Sequence, residues 1–332
     1  MTKKKVLSFL LGIIVIILWF YLVDIEAVFT YLDQINGWWI IVAITLSLLH
    51  TFISAYKLTI FLNLIKKLST FYIWGLLYIG AVVSLLTSFP AGGFSMAYLL
   101  KTRTKIGYHK IVGILLVDYM VNVLVTIIIA FVGILYFIYS GKLIMPFVSL
   151  DKNFYIIIGL GIIGLTFIIV LLKTLLKRNI FFNKLFVMYS QYRKGIILYK
   201  NNWNIIMQAI ILACINASIG GLMIVTYYKA FSVDINYIHV LLSINILSLL
   251  NTLPGLPFKL GQYELLSVIT LPTLLSIDKN LVFTVAFIEH SINLSISFLL
   301  GFIAVYFLHD VLFSTFFLKL RDFAVRKGKD HL

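Results

Sequence analysis

Apolar runs long enough to cross a bilayer alternate with short polar segments along most of the chain. Such runs cover about 6–23, 38–65, 111–139, 154–176, 203–229 and 281–308, and a spanning helix needs about 20 apolar residues. Two further runs are interrupted. The run 71–100 breaks at Ser88-Phe89-Pro90-Ala91-Gly92-Gly93, and the run 237–275 breaks between Asn251 and Glu264, a stretch that holds Pro254, Pro257, Lys259 and Gly261. Proline removes a backbone donor, and glycine permits irregular backbone. In hydrocarbon such a break persists only where protein or a water-filled cavity satisfies the freed groups. At about 1.5 Å per residue, the arm 237–253 reaches roughly 25 Å and the arm 265–275 about 16 Å, short of a core of about 30 Å. The weak period-two alternation of a transmembrane barrel is not seen. The pattern predicts an all-α polytopic membrane protein with six full spans and two re-entrant helical hairpins.

The placement of charge gives the hairpins their direction. Hydrophobic residues make up 62% of the 332 and charged residues 12%, about half the charge of a soluble domain. The net charge of +15 invites a nucleic-acid reading, yet no aromatic-basic module is visible. With the N-terminus in the cytoplasm, 21 of the 27 Lys and Arg residues fall on the inner side, which is the signature of topology. That count requires the run 71–100 to enter from the cytoplasm, turn at Pro90, Gly92 and Gly93, and return between Lys66-Lys67 and Lys101. The run 237–275 has flanks poor in positive charge and enters from outside, breaking at Pro254, Pro257 and Gly261.

The whole chain then reads as one membrane domain in two inverted halves, 1–140 and 150–310, followed by a basic cytoplasmic tail, 311–332. Identity between the halves is slight, so this reading rests on hydropathy and charge. Met1-Thr2-Lys3-Lys4-Lys5 and the run after it read as an uncleaved first span, because no small-residue cleavage site follows. Residues 180–199 read as an amphipathic interfacial helix. The expected location is the plasma membrane, with both termini cytoplasmic. Cys214 stands alone, so no intrachain disulfide can form.

Ionisable groups at bilayer depth are costly and are candidates for function. Lys259 and Glu264 flank the second break. In the last span Glu289, Asn293, Ser297 and Gly301 recur every four residues on one helix face, with His290 beside it. The expected site lies between the two breaks, with Lys259, Glu264, Glu289, His290, Lys57 and Asp118 as candidate substrate-binding groups. Lys57 is placed to pair with Asp118 or a lipid phosphate, or to snorkel to the boundary, and Asp118 lies about one turn inside its span. His50, His239, Asn122, Gln208, Asn216 and Asn245 read as hydrogen bonds between helices. No metal-ligand spacing and no nucleotide-binding glycine motif occurs, so neither metal nor cofactor is expected. The connection 173–202 is too small for a catalytic domain.

The second break resembles the Pro-x-x-Pro-Gly-Gly-x-Gly-x-Arg-Glu motif in the transmembrane region of lysylphosphatidylglycerol synthases and their stand-alone relatives. Pro254, Pro257, Gly261 and Glu264 match, Phe258 and Lys259 replace the glycine pair, and Tyr263 replaces the arginine. Pro90-Ala91-Gly92-Gly93 resembles that family's first Pro-Gly motif, with Ser95 and Met96 near the places of its acidic residue and arginine. Asp118-Tyr119 is similar to its Asp-Arg pair, and His290 stands where many relatives carry an arginine. The resemblance spans roughly 5–310 and implies a lipid-translocating domain without the soluble aminoacyl-transfer domain. The missing arginines argue against the usual anionic headgroup. The expected function is a flippase for a phospholipid, modified phospholipid or polyprenyl-linked lipid. The alternatives are a membrane-embedded lipid-modifying transferase, with Glu264 or Glu289 as base, and a noncatalytic partner of a separate enzyme. The expected partners are membrane lipids with charged headgroups, and a homo-oligomer or a separate lipid-modifying enzyme is open.

Overall fold

The computed structural model describes residues 23–86, 91–142, 202–251 and 261–307. The first span up to residue 22, the run 154–176, the interfacial helix 180–199 and the tail 311–332 lie outside the described residues, as do Pro90, Pro254, Pro257 and Lys259. The described residues form helices and no strand: α1 (Ile25–Asp33), α2 (Gly37–Asn63), α3 (Thr70–Leu86), α4 (Ala91–Thr104), α5 (Tyr108–Tyr139), α6 (Trp203–Ala230), α7 (Tyr237–Leu250), α8 (Gln262–Leu275) and α9 (Lys279–Phe307). Four of them, α2, α5, α6 and α9, are long and apolar enough to cross a membrane. Helix starts follow the capping chemistry. Asn36 and Asn236 accept the first N–H groups of α2 and α7, and Asp278 accepts those of Asn280 and Leu281 at 2.9 and 3.1 Å. The segment between the first two apolar runs contains α1, because Asp24 caps it by accepting from the Glu26 and Ala27 N–H groups.

The contacts between helix ends sort the bundle into two ends. At one end lies α1. The Asn36 N–H donates to the Ala230 carbonyl at 2.8 Å, which joins the start of α2 to the end of α6. The Tyr31 hydroxyl donates to Asp278 at 3.4 Å, and the Asp24 N–H to Asn280 at 3.0 Å. Lys142, just past α5, reaches the Leu274 carbonyl at 3.4 Å. At the far end of α2, Lys66 Nζ donates to the Thr104 carbonyl at 3.3 Å, and the Arg103 guanidinium lies 4.5 Å from the Tyr72 ring centre. The pair α3–α4 therefore begins and ends at the end remote from α1. The pair α7–α8 begins and ends beside α1.

The element order and the packing repeat. A shift of 171 residues (262 − 91) carries α4 onto α8, each 14 residues long, and the start of α5 onto that of α9. The same shift carries Lys105 onto Ser276, both left-handed at φ 59°. Under the exchange of α2, α3, α4 and α5 with α6, α7, α8 and α9, the helix contacts map onto one another: α3·α4 with α7·α8, α2·α3 with α6·α7, α4·α5 with α8·α9, and α5·α7 with α9·α3. The central contact, α2 with α6, maps onto itself. Side chains follow the shift at close approaches. Gly133 of α5 lies against Ile246 of α7, and Ala304 of α9 lies against Gly75 of α3; the shift of 171 carries Gly133 onto Ala304 and Gly75 onto Ile246. One apolar cluster centres on Leu58, Phe61, Ile73, Leu100 and Ile111 and takes in Ala209, Ala213 and Ala304 of the second half; another centres on Tyr227, Tyr228, Val240, Leu271 and Val282 and takes in Ala43 of the first.

Candidate functional site

Two buried polar clusters occupy the apolar interior, one in each half. In the second half Gly261 opens α8 at φ 84°, a left-handed turn that suits glycine. The turn places Tyr263 and Glu264 in the first turn of α8. Glu264 is 1% exposed. Its Oε2 accepts the Gly261 N–H at 3.0 Å, and its Oε1 lies 2.7 Å from His290 Nδ1 on α9. The Tyr263 hydroxyl donates to Glu289 Oε2, also on α9. The two ties cross between consecutive residues, 263 to 289 and 264 to 290, and bind the first turn of α8 to the middle of α9. Buried Tyr227 and Tyr228 on α6 stand within electrostatic range of Glu289. Ser47 of α2 donates to Asn293 at 2.9 Å, one turn further along α9.

The first half holds an ion pair. Lys57 Nζ lies 3.1 Å from Asp118 Oδ1 and also donates to Asn122 Oδ1, joining α2 to α5. Lys57 is 1% exposed, so it does not snorkel to the boundary. Asp118 lies ten residues inside α5 rather than one turn in, because α5 starts at Tyr108. Asn122, expected as interhelical glue, is a member of this cluster.

The structure brings together Glu264, Glu289 and His290, and separately Lys57 and Asp118. Gly92 and Gly93 open α4. Gly92 sits so close to α3 that a Cβ there would fall on the Gly80 carbonyl oxygen and the Ser84 hydroxyl. Its N–H donates to Ser84 at 3.0 Å. Sequence reasoning missed Tyr263 as the hydrogen-bond partner of Glu289. Identity between the halves is slight, as the sequence reading has it, and the packing register adds a set of similar buried positions. The shift of 171 aligns Val117-Asp118 with Ile288-Glu289, Val121-Asn122 with Ile292-Asn293, and Ala130 with Gly301. The recurring acid-x-x-x-Asn pattern was the available signal.

The lysylphosphatidylglycerol synthase TM region family matches residues 5–314. The chain belongs to that family. No curated protein and no solved structure matches it. Membership in the lysylphosphatidylglycerol synthase TM region, with four long apolar helices, makes the chain a multi-pass membrane protein with a lipid-related function. The family's second motif ends at Glu264, and that carboxylate is one half of the crossed tie to α9. Where the motif carries arginine, this chain has Tyr263, whose hydroxyl bonds Glu289 instead.

Proposed function

We propose that the protein is a flippase-type carrier. It would move a phospholipid, a modified phospholipid or a polyprenyl-linked lipid between leaflets without chemical change. The single observation behind this is the pairing of two half-length helix pairs, α3–α4 and α7–α8, that begin and end at opposite ends of the bundle. Read across a membrane, they are re-entrant hairpins in an inverted repeat, the arrangement that lets one half rock against the other about a central site. Asp118 and Glu289 each lie ten residues inside their helices, about 15 Å from opposite ends. In a hydrocarbon core of about 30 Å both sit near the middle. The polar groups of Glu264, Glu289 and His290, with Lys57 and Asp118 across the bundle, are the proposed substrate contacts. Lys66, Lys67, Lys101, Arg103, Lys105 and Lys110 cluster at the end where α3–α4 enters, which favours a cytoplasmic placement for that end. The plasma membrane, with both termini inside, is the matching location.

The test is reconstitution of the purified chain in vesicles that carry a fluorescent phospholipid in both leaflets, read by chemical quenching from outside. Quenching beyond the outer-leaflet half, at a rate that scales with protein, is the expected result. Quenching that stops at half in every lipid tried would sink the carrier reading.

A further inference from the structure

The two polar clusters occupy matching positions in the repeat but differ in one respect. Asp118 and Glu289 correspond under the shift of 171, and so do Asn122 and Asn293, and Lys57 and Tyr228. In the first half Lys57 supplies a tethered cation to Asp118. In the second half the matching residue is a tyrosine, so α6 offers Glu289 no cation. The groups that face Glu289 are Tyr263 and Glu264 of α8, His290 of its own helix, Tyr227 and Tyr228 of α6, and, a turn along, Asn293 with Ser47 of α2. With both carboxylates ionised and His290 protonated, the described members of this cluster carry one uncompensated negative charge among apolar helices. One further proton removes it, and burial in low dielectric disfavours the uncompensated form. His290 is committed to Glu264, which the Gly261 N–H also holds, so the remaining carboxylate is Glu289. Among the described residues no three His, Cys, Asp or Glu side chains are grouped to hold a metal ion.

We propose that Glu289 is a proton-exchange site that couples lipid movement to the transmembrane proton gradient. This rests on the carrier reading. A proton from water on one side adds to the Glu289 carboxylate, and the same O–H bond breaks to release it on the other side. No other bond is made or broken. The crossed ties give the proton a mechanical effect, because charge on Glu289 changes what the Tyr263 hydroxyl meets, and Tyr263 opens α8 next to Glu264. The first half carries Lys57 in place of an exchangeable proton, so only one of the two matching carboxylates responds to the gradient.

The experiment uses the full chain in vesicles of phosphatidylglycerol and phosphatidylethanolamine, with a fluorescent analogue of each and potential clamped by potassium and valinomycin. A pH gradient should displace the leaflet distribution of the transported analogue, by up to about tenfold per pH unit at one proton per lipid. Collapse of the gradient with nigericin should restore an even distribution. In Glu289→Gln the distribution should stay even under the gradient. Lipid movement that ignores the pH gradient, or follows a sodium gradient instead, overturns the coupling and leaves the carrier reading intact. Absence of any lipid movement overturns both. A second readout stands apart from transport: infrared titration of the reconstituted chain should show a protonated-carboxyl band that Glu289→Gln removes. If that variant does not fold, Tyr263→Phe serves, and it should move the pH at which the band appears. A band that neither variant alters would overturn Glu289 as the site.

Discussion

At the scale of single residues, Lys57 and Asp118 show what burial requires of charge. Each would be costly alone among apolar helices, and together, with Asn122 as a third partner, they form a neutral tie from α2 to α5. Removing one partner strands the other. Asp118→Ala or Lys57→Ala should lower stability by about 3–5 kcal/mol, whereas the double replacement Lys57→Met with Asp118→Leu should cost far less. Thermal unfolding in detergent, followed by tryptophan fluorescence, checks this. Equal losses in the single and double variants would mean that packing rather than charge holds the pair. The crossed ties at Glu264 and Glu289 predict a different pattern. Glu264→Gln keeps an acceptor for the Gly261 N–H but removes the charge that His290 faces. It should preserve folding while reducing lipid translocation at least tenfold in the vesicle assay. Full translocation in that variant would exclude Glu264 from the transport mechanism.

At the scale of elements, the helix pair α3–α4 depends on one close approach. Gly92 has no room for a side chain against the Gly80 carbonyl and Ser84, while Gly93, one residue on, has open space around it. Gly92→Ala should force α4 away from α3 and cost about 1–3 kcal/mol, the usual penalty for overpacking. Gly93→Ala should be neutral or stabilising by up to about 1 kcal/mol, since alanine is the better helix former. Paired melting curves distinguish the two, and equal behaviour would place the break elsewhere. Gly301 plays the same part between α9 and α3, with Val82 at 2.6 Å from a hypothetical Cβ. Small residues thus mark where α3 meets α4 and α9, as van der Waals packing in lipid requires.

At the scale of the whole molecule, the directions of the two helix pairs decide whether the repeat is inverted with respect to the membrane. Exposed Lys67 and Lys101 flank α3–α4, and exposed Asp234 and Lys279 flank α7–α8. In a Cys214→Ser background, single cysteines at Lys67 and Lys101 should label from the cytoplasmic side. Cysteines at Asp234 and Lys279 should label from outside. Labelling of Lys67 and Lys101 from opposite sides would make the first pair a true crossing and remove the inverted arrangement, and with it the argument for alternating access.

Much of this was legible along the chain. Hydropathy alone placed the long helices within a few residues of α2, α5, α6 and α9, because a bilayer-length apolar run has few alternatives to a helix. The Pro-Gly breaks located the half-length pairs for the same reason, and the second motif carried the family. The α1 helix was missed because its cap and one apolar face are short-range features inside a polar segment. The chain left most of the pairing open. Lys57 had Asp118, a lipid phosphate or the boundary as alternatives, and Tyr263 had no partner named for it; Tyr263 meets Glu289, and Lys57 meets Asp118 and Asn122, because α8 lies against α9 and α2 lies against α5. The correspondence of Asp118-x-x-x-Asn122 with Glu289-x-x-x-Asn293 was written in the sequence. It acquired meaning only once the helices stood in matching packing, because identity confined to a few buried positions is diluted by lipid-facing residues that need only be apolar.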